Sequence, residues 1–128
     1  DDIVLKGVPS RFKVGEVFVL ENLQFDQSSY ALRKEAVQEL NNLKKVLHQH
    51  PNMEIVLEGH TSNEGDEAKN MELSKQRLES ARNYLIARGI DADRVGVKAF
   101  GETKPRADNS TIAGRIANRR IEMRIVKL

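Results

Sequence analysis

The chain has 128 residues, a length that suits one compact domain with a single hydrophobic core. Its residues are 39% hydrophobic and 31% charged, a composition typical of a globular protein rather than a disordered or fibrous one. The absence of cysteine excludes disulfides, thiolate metal ligands and a cysteine nucleophile, and a net charge of +2 is too small to indicate nucleic-acid binding. No apolar run reaches the roughly 18 residues that a membrane-spanning helix needs.

The first predicted elements are β-strands. Short β-rich pieces, broken by glycine and proline, occupy the start of the chain. Residues 16–20 then predict a strand that continues toward Phe25. The polar residues 26–29 indicate a turn that leads into a helix.

Two long helices follow, with a strand between them. Apolar residues recur at three- and four-residue spacing from 32 to 48, and Pro51 ends this helix. Residues 54–58 predict a short strand, and residues 59–65 a polar loop. The second helix is predicted over residues 67–88, with Gly89 as its C-terminal cap.

The last part of the chain predicts two more strands. Residues 95–100 form the first, and Thr111 caps a short helical turn that leads to Asn118. From residue 120 to 126 the sequence alternates, with Ile121, Met123 and Ile125 on one face. Strands separated by long helices predict an α/β fold, a two-layer sandwich whose helices cover one face of the sheet.

The second helix carries an unusual polar ridge. On a helical wheel Leu73, Leu78, Ala81 and Leu85 define the arc that faces the sheet. The polar side chains of Asn70, Ser74, Arg77 and Tyr84 fall inside the same arc instead of on the solvated side. Asn70, Ser74 and Arg77 stand four and three residues apart and therefore form one ridge.

Arg77 on this arc requires an acidic partner. A guanidinium beside an apolar face is costly unless an anion pairs with it, and its planar fork matches a carboxylate. The carboxylate can come from the protein, with Glu58 or Asp26 as candidates, or from a ligand. The first case is a structural ion pair; the second is a carboxylate receptor completed by the loop of residues 59–65.

Five motifs in order resemble those of the OmpA C-terminal domain family, which includes the peptidoglycan-associated lipoprotein and the flagellar stator protein MotB. The similarity extends roughly from Val17 to the C-terminus. Each motif alone is weak, but five in order at family-like spacing form a specific signature. They are Phe25-Asp26, Glu58-Gly59-His60-Thr61, Asn70-Met71-Glu72-Leu73-Ser74-Lys75-Gln76-Arg77, Gly101-Glu102-Thr103-Lys104-Pro105 and Asn118-Arg119-Arg120-Ile121-Glu122.

The resemblance implies an α/β sandwich with a mixed sheet, and a non-catalytic domain without a cofactor or a metal. Family members bind peptidoglycan in the periplasm and anchor envelope components to the wall. We therefore expect residues 14–128 to form an OmpA-like domain, preceded by an N-terminal extension of residues 1–13 with short β pieces. The implied partner is the meso-diaminopimelate stem peptide, and the implied location is the periplasmic face of the outer membrane. Other envelope proteins would be contacted through the rest of a longer chain.

The resemblance also implies a binding site. In the family, the arginine that matches Arg77 grips a diaminopimelate carboxylate, and the residue that follows His-Thr, here Ser62, contacts the same diaminopimelate. Asn70 and Arg119 match residues that line the same groove, and the turn that matches Phe25-Asp26-Gln27 supplies contacts from its opposite wall. The predicted site consists of Phe25, Asp26, Gln27, Thr61, Ser62, Asn70, Leu73, Ser74, Arg77 and Arg119.

Two residues depart from the family pattern. Ser62 stands where the family usually has aspartate, so it can accept a hydrogen bond from an ammonium but brings no charge. Leu78 stands where a small alanine usually follows the arginine. If Ser62 weakens wall binding, the alternative function is a protein–protein interaction module of the same fold. The segment of residues 14–26 also looks like versions in Bacteroidetes-type envelope proteins, one of them in a type IX secretion machine.

Catalysis is a weaker interpretation of the same residues. His60, Ser62 and Asp66 offer a base, a nucleophile and an acid. His60 and Ser62, however, lie two residues apart in a loop, and no Gly-x-Ser-x-Gly elbow or oxyanion device accompanies them. We therefore expect no enzymatic activity.

Metal and nucleic-acid binding are also disfavoured. His48 and His50 are two residues apart, a spacing that does not share a helix face. Four arginines cluster late in the chain, but acidic residues are interleaved with them and aromatic platforms for single strands are missing. These arginines are Arg115, Arg119, Arg120 and Arg124.

Overall fold

The protein is a two-layer α/β sandwich built on a mixed four-stranded sheet. The computed structural model describes residues 12–24 and 29–128, and for residues 21–24 it describes the backbone alone. The strands are β1 (Val17–Gln24), β2 (Glu54–His60), β3 (Val95–Gly101) and β4 (Arg120–Lys127), in the spatial order β1-β4-β2-β3. β4 runs antiparallel to both of its neighbours, and β2 and β3 are parallel.

Three helices connect the strands: α1 (Lys34–Gln49), α2 (Glu67–Ala87) and α3 (Ile112–Asn118). A 3-10 turn (Ala92–Arg94) precedes β3. Asp66 caps α2 by accepting a hydrogen bond from the Lys69 amide, and Thr111 caps α3 in the same way through the Gly114 amide. Gly89 follows α2 with φ of +95°, so glycine ends this helix as predicted.

The core lies between the helices and one face of the sheet. On β4 the predicted alternation is confirmed, because Ile121, Met123 and Ile125 are all fully buried. They pack in one cluster with Ile55 and Leu57 of β2 and with the leucines of α1 and α2. The opposite face of the sheet carries polar residues, so the predicted two-layer sandwich with two long helices on one face is confirmed.

The predicted element boundaries hold to within a few residues, except at the end of β2. This strand continues through Gly59 and His60, which we had predicted to be in the loop. Both residues pair with β3, and Gly59 also pairs with Ile121 of β4. The extension depends on glycine at position 59, since a Cβ there would lie 2.8 Å from Leu78 Cγ and 3.0 Å from the Ser74 carbonyl oxygen.

Some expectations fall outside the described residues. They concern the short β pieces within residues 1–11 and the wall formed by Phe25, Asp26 and Gln27. Among the residues that the structure describes, no helix combines the length and apolar character needed to cross a membrane.

Gly59→Ala tests how tightly α2 packs on β2. We expect a loss of about 1–3 kcal/mol in the free energy of unfolding, the usual cost of overpacking a core, measured by urea denaturation. Because Leu78 supplies the nearest side-chain atoms, the loss should be smaller when measured in a Leu78→Ala background. An equal loss in both backgrounds would show that Leu78 is not the obstacle.

Candidate functional site

Several of the predicted site residues lie together at one end of the sheet. Thr61 follows the last residue of β2, and Arg119 precedes the first residue of β4, the strand paired with β2. The loop of residues 61–66 leads from β2 into α2, whose first turns lie beside it. An open groove of about 340 Å³ lies here, lined by Glu64, Gly65, Asp66, Lys69, Asn70, Glu72, Leu73 and Gln76.

Arg77 lies in the layer between α2 and the chain that follows β1. It is 1% exposed, and its Nε donates a hydrogen bond of 2.7 Å to the carbonyl oxygen of Ser29. The prediction that Arg77 faces inward is confirmed. Ser29 lies shortly after Phe25, Asp26 and Gln27 in the chain, so this hydrogen bond connects Arg77 to the segment that follows them.

Glu58 does not pair with Arg77, so the prediction that its carboxylate is a candidate partner of this arginine is wrong. Its two carboxylate oxygens accept hydrogen bonds from Arg124 at 2.9 and 3.3 Å. Side chains alternate along a strand, and Gly59, the next residue, is the one that faces α2. Glu58 therefore lies on the outer face of the sheet. The other candidate, Asp26, is outside the described residues.

Asn70 fastens the loop to the helix. Its side-chain amide donates to the carbonyl oxygens of Ser62 at 3.3 Å and Glu64 at 3.0 Å. Asn70 and Leu73 also line the groove, which agrees with their place in the predicted set. The observed hydrogen bonds give Asn70 the role of holding the loop in position.

Ser74 is fully buried and joins α2 to the end of β3. Its hydroxyl donates to the Met71 carbonyl at 2.8 Å and accepts from the Gly101 amide at 3.2 Å. The Gly101 carbonyl in turn accepts from the Thr61 amide at 2.8 Å. The described contacts of Ser74 are therefore structural and set the position of the strand ends.

The hydroxyl oxygen of Thr61 and Nε of Arg119 are buried without a hydrogen-bond partner among the described residues, and so are both ring nitrogens of His60. Buried polar groups are almost always hydrogen-bonded, so each such atom needs an explanation, of which a bound water or ligand is one. The Thr61 and Arg119 atoms belong to the end of the sheet where the loop of residues 61–66 lies.

Glu64 joins the loop to α3. One of its oxygens, Oε1, lies 3.4 Å from the Ser62 hydroxyl, 3.3 Å from Arg115 Nε and 3.2 Å from Arg119 Nη1. The Glu64 carboxylate thus lies beside Ser62, the serine that stands where the family usually has aspartate. Ser62 itself is buried.

The loop of residues 102–111 is held by Asn118 and Arg120. The Asn118 side chain accepts from the Arg106 and Ala107 amides and donates to the Ala107 carbonyl and to Asn109. Arg120 bonds the Lys104 carbonyl and the Glu122 carboxylate. These buried polar side chains explain why the Asn-Arg-Arg motif occurs at the start of β4, since they shape the loop beside the site.

His60 occupies the outer face of the sheet, away from the groove. It is 2% exposed and stacks on the Phe100 ring with centroids 5.1 Å apart. Burial, followed by the positive charge of Arg120, lowers its pKa to about 4. The imidazole is therefore neutral at pH 7.

The three residues considered for catalysis have separate roles. His60 is buried on the outer face, the Ser62 hydroxyl contacts Glu64, and Asp66 caps α2. Among the described residues, Glu58, His60 and Glu122 offer metal-ligand atoms within 4.8 Å of one another. Both carboxylates, however, are already bonded to arginines, which compensate their charges.

The late arginines do not form an open basic patch. Arg115 and Arg119 contact Glu64, Arg120 contacts Glu122, and Arg124 contacts Glu58. Each guanidinium thus has an acidic neighbour within 4 Å. This pairing argues against the dense positive stripe that nucleic-acid binding requires.

The chain belongs to the OmpA family, whose model matches residues 24–119. This range contains β2, both long helices, β3, α3 and the groove. The resemblance inferred from the five motifs is therefore confirmed.

Curated relatives agree with this membership. The probable lipoprotein YiaD of Escherichia coli is 36% identical over 107 residues, which cover 84% of this chain and 49% of YiaD. The peptidoglycan-binding protein ArfA of Mycobacterium tuberculosis is 37% identical over 84 residues, covering 66% of this chain and 26% of ArfA. The chain thus spans about half or less of these relatives.

Solved structures show the same fold. The peptidoglycan-associated lipoprotein of Burkholderia pseudomallei aligns with a TM-score of 0.73 and 26% identity, covering 82% of this chain and 87% of that one. The cell wall anchor of the T6SS of Pseudomonas aeruginosa aligns with a TM-score of 0.72 and 25% identity, covering 84% and 78%. The periplasmic domain of Helicobacter pylori MotB, at 22% identity and a TM-score of 0.76, covers 91% and 79% and supports the fold alone.

ArfA is named as a peptidoglycan-binding protein and the T6SS protein as a cell wall anchor, and these names agree with the expectation of a non-catalytic domain.

From the sequence, Arg115 belongs only to the late cluster of arginines that we weighed for nucleic-acid binding, and no motif assigns it a role in the site. Arg115 and Arg119 stand four residues apart at the end of α3, a spacing that places two side chains on one helix face. Their shared acid, Glu64, lies about half the chain earlier. No local pattern predicts which acid two such arginines contact.

His60→Gln tests the buried neutral histidine. Because the pKa of His60 falls from 6.5 in the unfolded chain to about 4 in the folded one, the unfolded state binds more protons between these values. The stabilisation that comes from keeping His60 neutral is fully present above pH 6.5 and is lost as the pH falls toward 4. The free energy of unfolding therefore falls by a few kcal/mol over this range, at roughly 1.4 kcal/mol per pKa unit. The unfolding free energy of His60→Gln, measured by urea denaturation, should therefore fall less steeply over this range.

The matched control is His48→Gln, whose side chain is exposed at the end of α1. This variant should keep the acid dependence of the parent chain. If His60→Gln and the parent lose stability in parallel between pH 6.5 and 4, the histidine is not the group responsible.

Proposed function

We propose that the chain is a non-catalytic peptidoglycan-binding domain that holds the meso-diaminopimelate stem peptide and anchors a longer envelope protein to the cell wall. The observation that carries this proposal is the membership of the OmpA family together with the buried, inward-facing Arg77. Two matched proteins, ArfA and the peptidoglycan-associated lipoprotein, are named for peptidoglycan. The proposed location is the periplasmic face of the outer membrane.

Arg77 is the proposed carboxylate receptor. A guanidinium can make two parallel hydrogen bonds to a carboxylate, and burial strengthens them because water does not compete. Nε of Arg77 is held by the Ser29 carbonyl, which orients the fork. Diaminopimelate differs from lysine by a side-chain carboxylate, and that group is the one we assign to Arg77.

The remaining contacts come from the two walls. The loop of residues 61–66, held by Asn70, forms one wall, with the Thr61 and Ser62 hydroxyls and Arg119 facing the peptide's polar groups. The family resemblance assigns contacts from the opposite side of the peptide to Phe25, Asp26 and Gln27. Leu73 lines the groove together with Asn70, and Ser74 holds the end of β3.

Arg77→Met is the direct test. Methionine keeps the unbranched apolar stem but removes the guanidinium, so the affinity for a meso-diaminopimelate tripeptide should fall by about 2–5 kcal/mol, the range for losing one partner of a buried charge pair. Calorimetric titration measures the effect, and circular dichroism checks the fold. The matched control is Arg88→Met, an exposed arginine directly after the same helix, whose guanidinium lies over the Tyr84 ring. A folded Arg77→Met protein that binds like the parent would refute the assignment.

The ligand pair tests the same contact from the other side. A tripeptide with L-lysine in place of meso-diaminopimelate lacks the acid group, so the parent chain should bind it at least about tenfold more weakly, as one lost charged hydrogen bond of 1.5–3 kcal/mol requires. In Arg77→Met this preference should disappear, because the receptor for the acid is gone. A preference that persists in the variant would place the acid elsewhere.

The alternative is a protein–protein interaction module of the same fold. The uncharged Ser62 in place of the usual aspartate favours it, since one ligand anchor then lacks a charge. Sedimentation with insoluble peptidoglycan separates the two functions: the wall-binding domain is found in the pellet, and the interaction module remains in the supernatant.

A further inference from the structure

The Glu64 carboxylate lies among three hydrogen-bond donors. Its Oε1 is 3.4 Å from the Ser62 hydroxyl, 3.3 Å from Arg115 Nε and 3.2 Å from Arg119 Nη1. Arg115 is held independently of Glu64, since its Nη1 donates to the Asn109 carbonyl at 3.0 Å. Arg119 directly precedes β4, so its backbone is fixed by the start of that strand. At least one arginine of the cluster therefore keeps its place when a different carboxylate takes the position of Glu64.

The charge of this cluster favours an anion. Two arginines and one glutamate leave a net charge of +1, which repels an ammonium and attracts a second acid. Nε of Arg119 is an additional buried donor with no hydrogen-bond partner among the described residues. The Ser62 hydroxyl also donates here, although a hydroxyl keeps acceptor lone pairs for other groups.

Glu64 is placed where a ligand can replace it. Its side chain is 33% exposed and lines the groove, and those of Arg115 and Arg119 are 25% and 14% exposed. Ion pairs at such exposure are weak, because solvent screens them and ordering the side chains costs entropy. Exchanging one carboxylate for another also leaves the arginines paired throughout.

We propose that Ser62, Arg115 and Arg119 form a second carboxylate subsite, occupied by Glu64 in the free protein and by a second acid group of the peptide in the complex. This inference rests on the proposed function, in which Arg77 takes the first acid. The ligand class it defines is a peptide that carries two free carboxylates. Glu64 acts as an internal competitor that weakens the contact with the second acid.

The test uses two forms of the meso-diaminopimelate tripeptide. One form has all its carboxylates free, and in the other every carboxylate except the diaminopimelate side-chain acid is an amide. The readout is the ratio of the two dissociation constants, measured by calorimetric titration at low salt. Glu64→Gln removes the competing charge, so it should raise the preference for the free-acid form by about fivefold, the effect of one part-exposed charged contact.

Two further variants locate the effect. Arg115→Gln, added to Glu64→Gln, should cancel the gain because the subsite loses a donor. Glu67→Gln removes an exposed acid of the first turn of α2 that lies outside the lining of the groove and has no described contact with the arginines, so it should leave the preference as in the parent chain. An equal gain in Glu67→Gln would mean that the effect is long-range charge and would overturn the subsite.

The outcomes separate this inference from the proposed function. If the parent chain binds both forms and Glu64→Gln leaves their ratio unchanged or lowers it, the subsite is wrong and peptidoglycan binding by Arg77 stands. If the parent chain binds neither form, the proposed function and the subsite both fail.

Discussion

The guanidinium of Arg77 lies almost fully out of water, between α2 and the chain that follows β1. A buried charge is tolerated only when hydrogen-bonding groups are arranged around it, and the Ser29 carbonyl is one such group for Arg77. On the same ridge of α2, Asn70 holds the loop of residues 61–66 and Ser74 holds the end of β3. This polar ridge therefore ties the segment after β1, the loop and the strand ends to one helix.

The sheet separates two sets of polar residues that lie close together in the sequence. Along β2 the side chains of Glu58 and His60 point to the outer face, and the glycine between them allows α2 to approach the inner face. On the outer face, Glu58 and Glu122 are paired with arginines, and His60 stacks on Phe100, although its two ring nitrogens have no hydrogen-bond partner among the described residues. At the sheet end, the Thr61 hydroxyl and Nε of Arg119 are likewise buried without a described partner. The groove lies on the helix side of this end, so we look for the binding function there.

A domain of this kind works by complementarity alone. Three carboxylates, two side-chain amides and one ammonium line the groove, and Glu64 links them to the Ser62 hydroxyl and to the guanidiniums of Arg115 and Arg119. Such groups can hold the polar and charged parts of a ligand through charge-assisted hydrogen bonds. His60, the one described side chain whose pKa is shifted to about 4, is buried away from them. The structure thus agrees with the binding and anchoring character of the relatives that match the chain.

Much of the fold was predictable because its signals are local. Apolar spacing predicted both long helices, alternation predicted β4, and Gly89 and Thr111 marked helix ends, since these patterns reflect the geometry of single elements. The inward orientation of Arg77 followed from the same spacing.

The tertiary structure alone decided which acids contact which arginines. Glu58 pairs with Arg124 across β2 and β4, and Glu64 reaches Arg115 and Arg119 about half the chain away. Such pairs depend on strand register and on the path of loops between distant elements, and neither is encoded in the spacing of nearby residues.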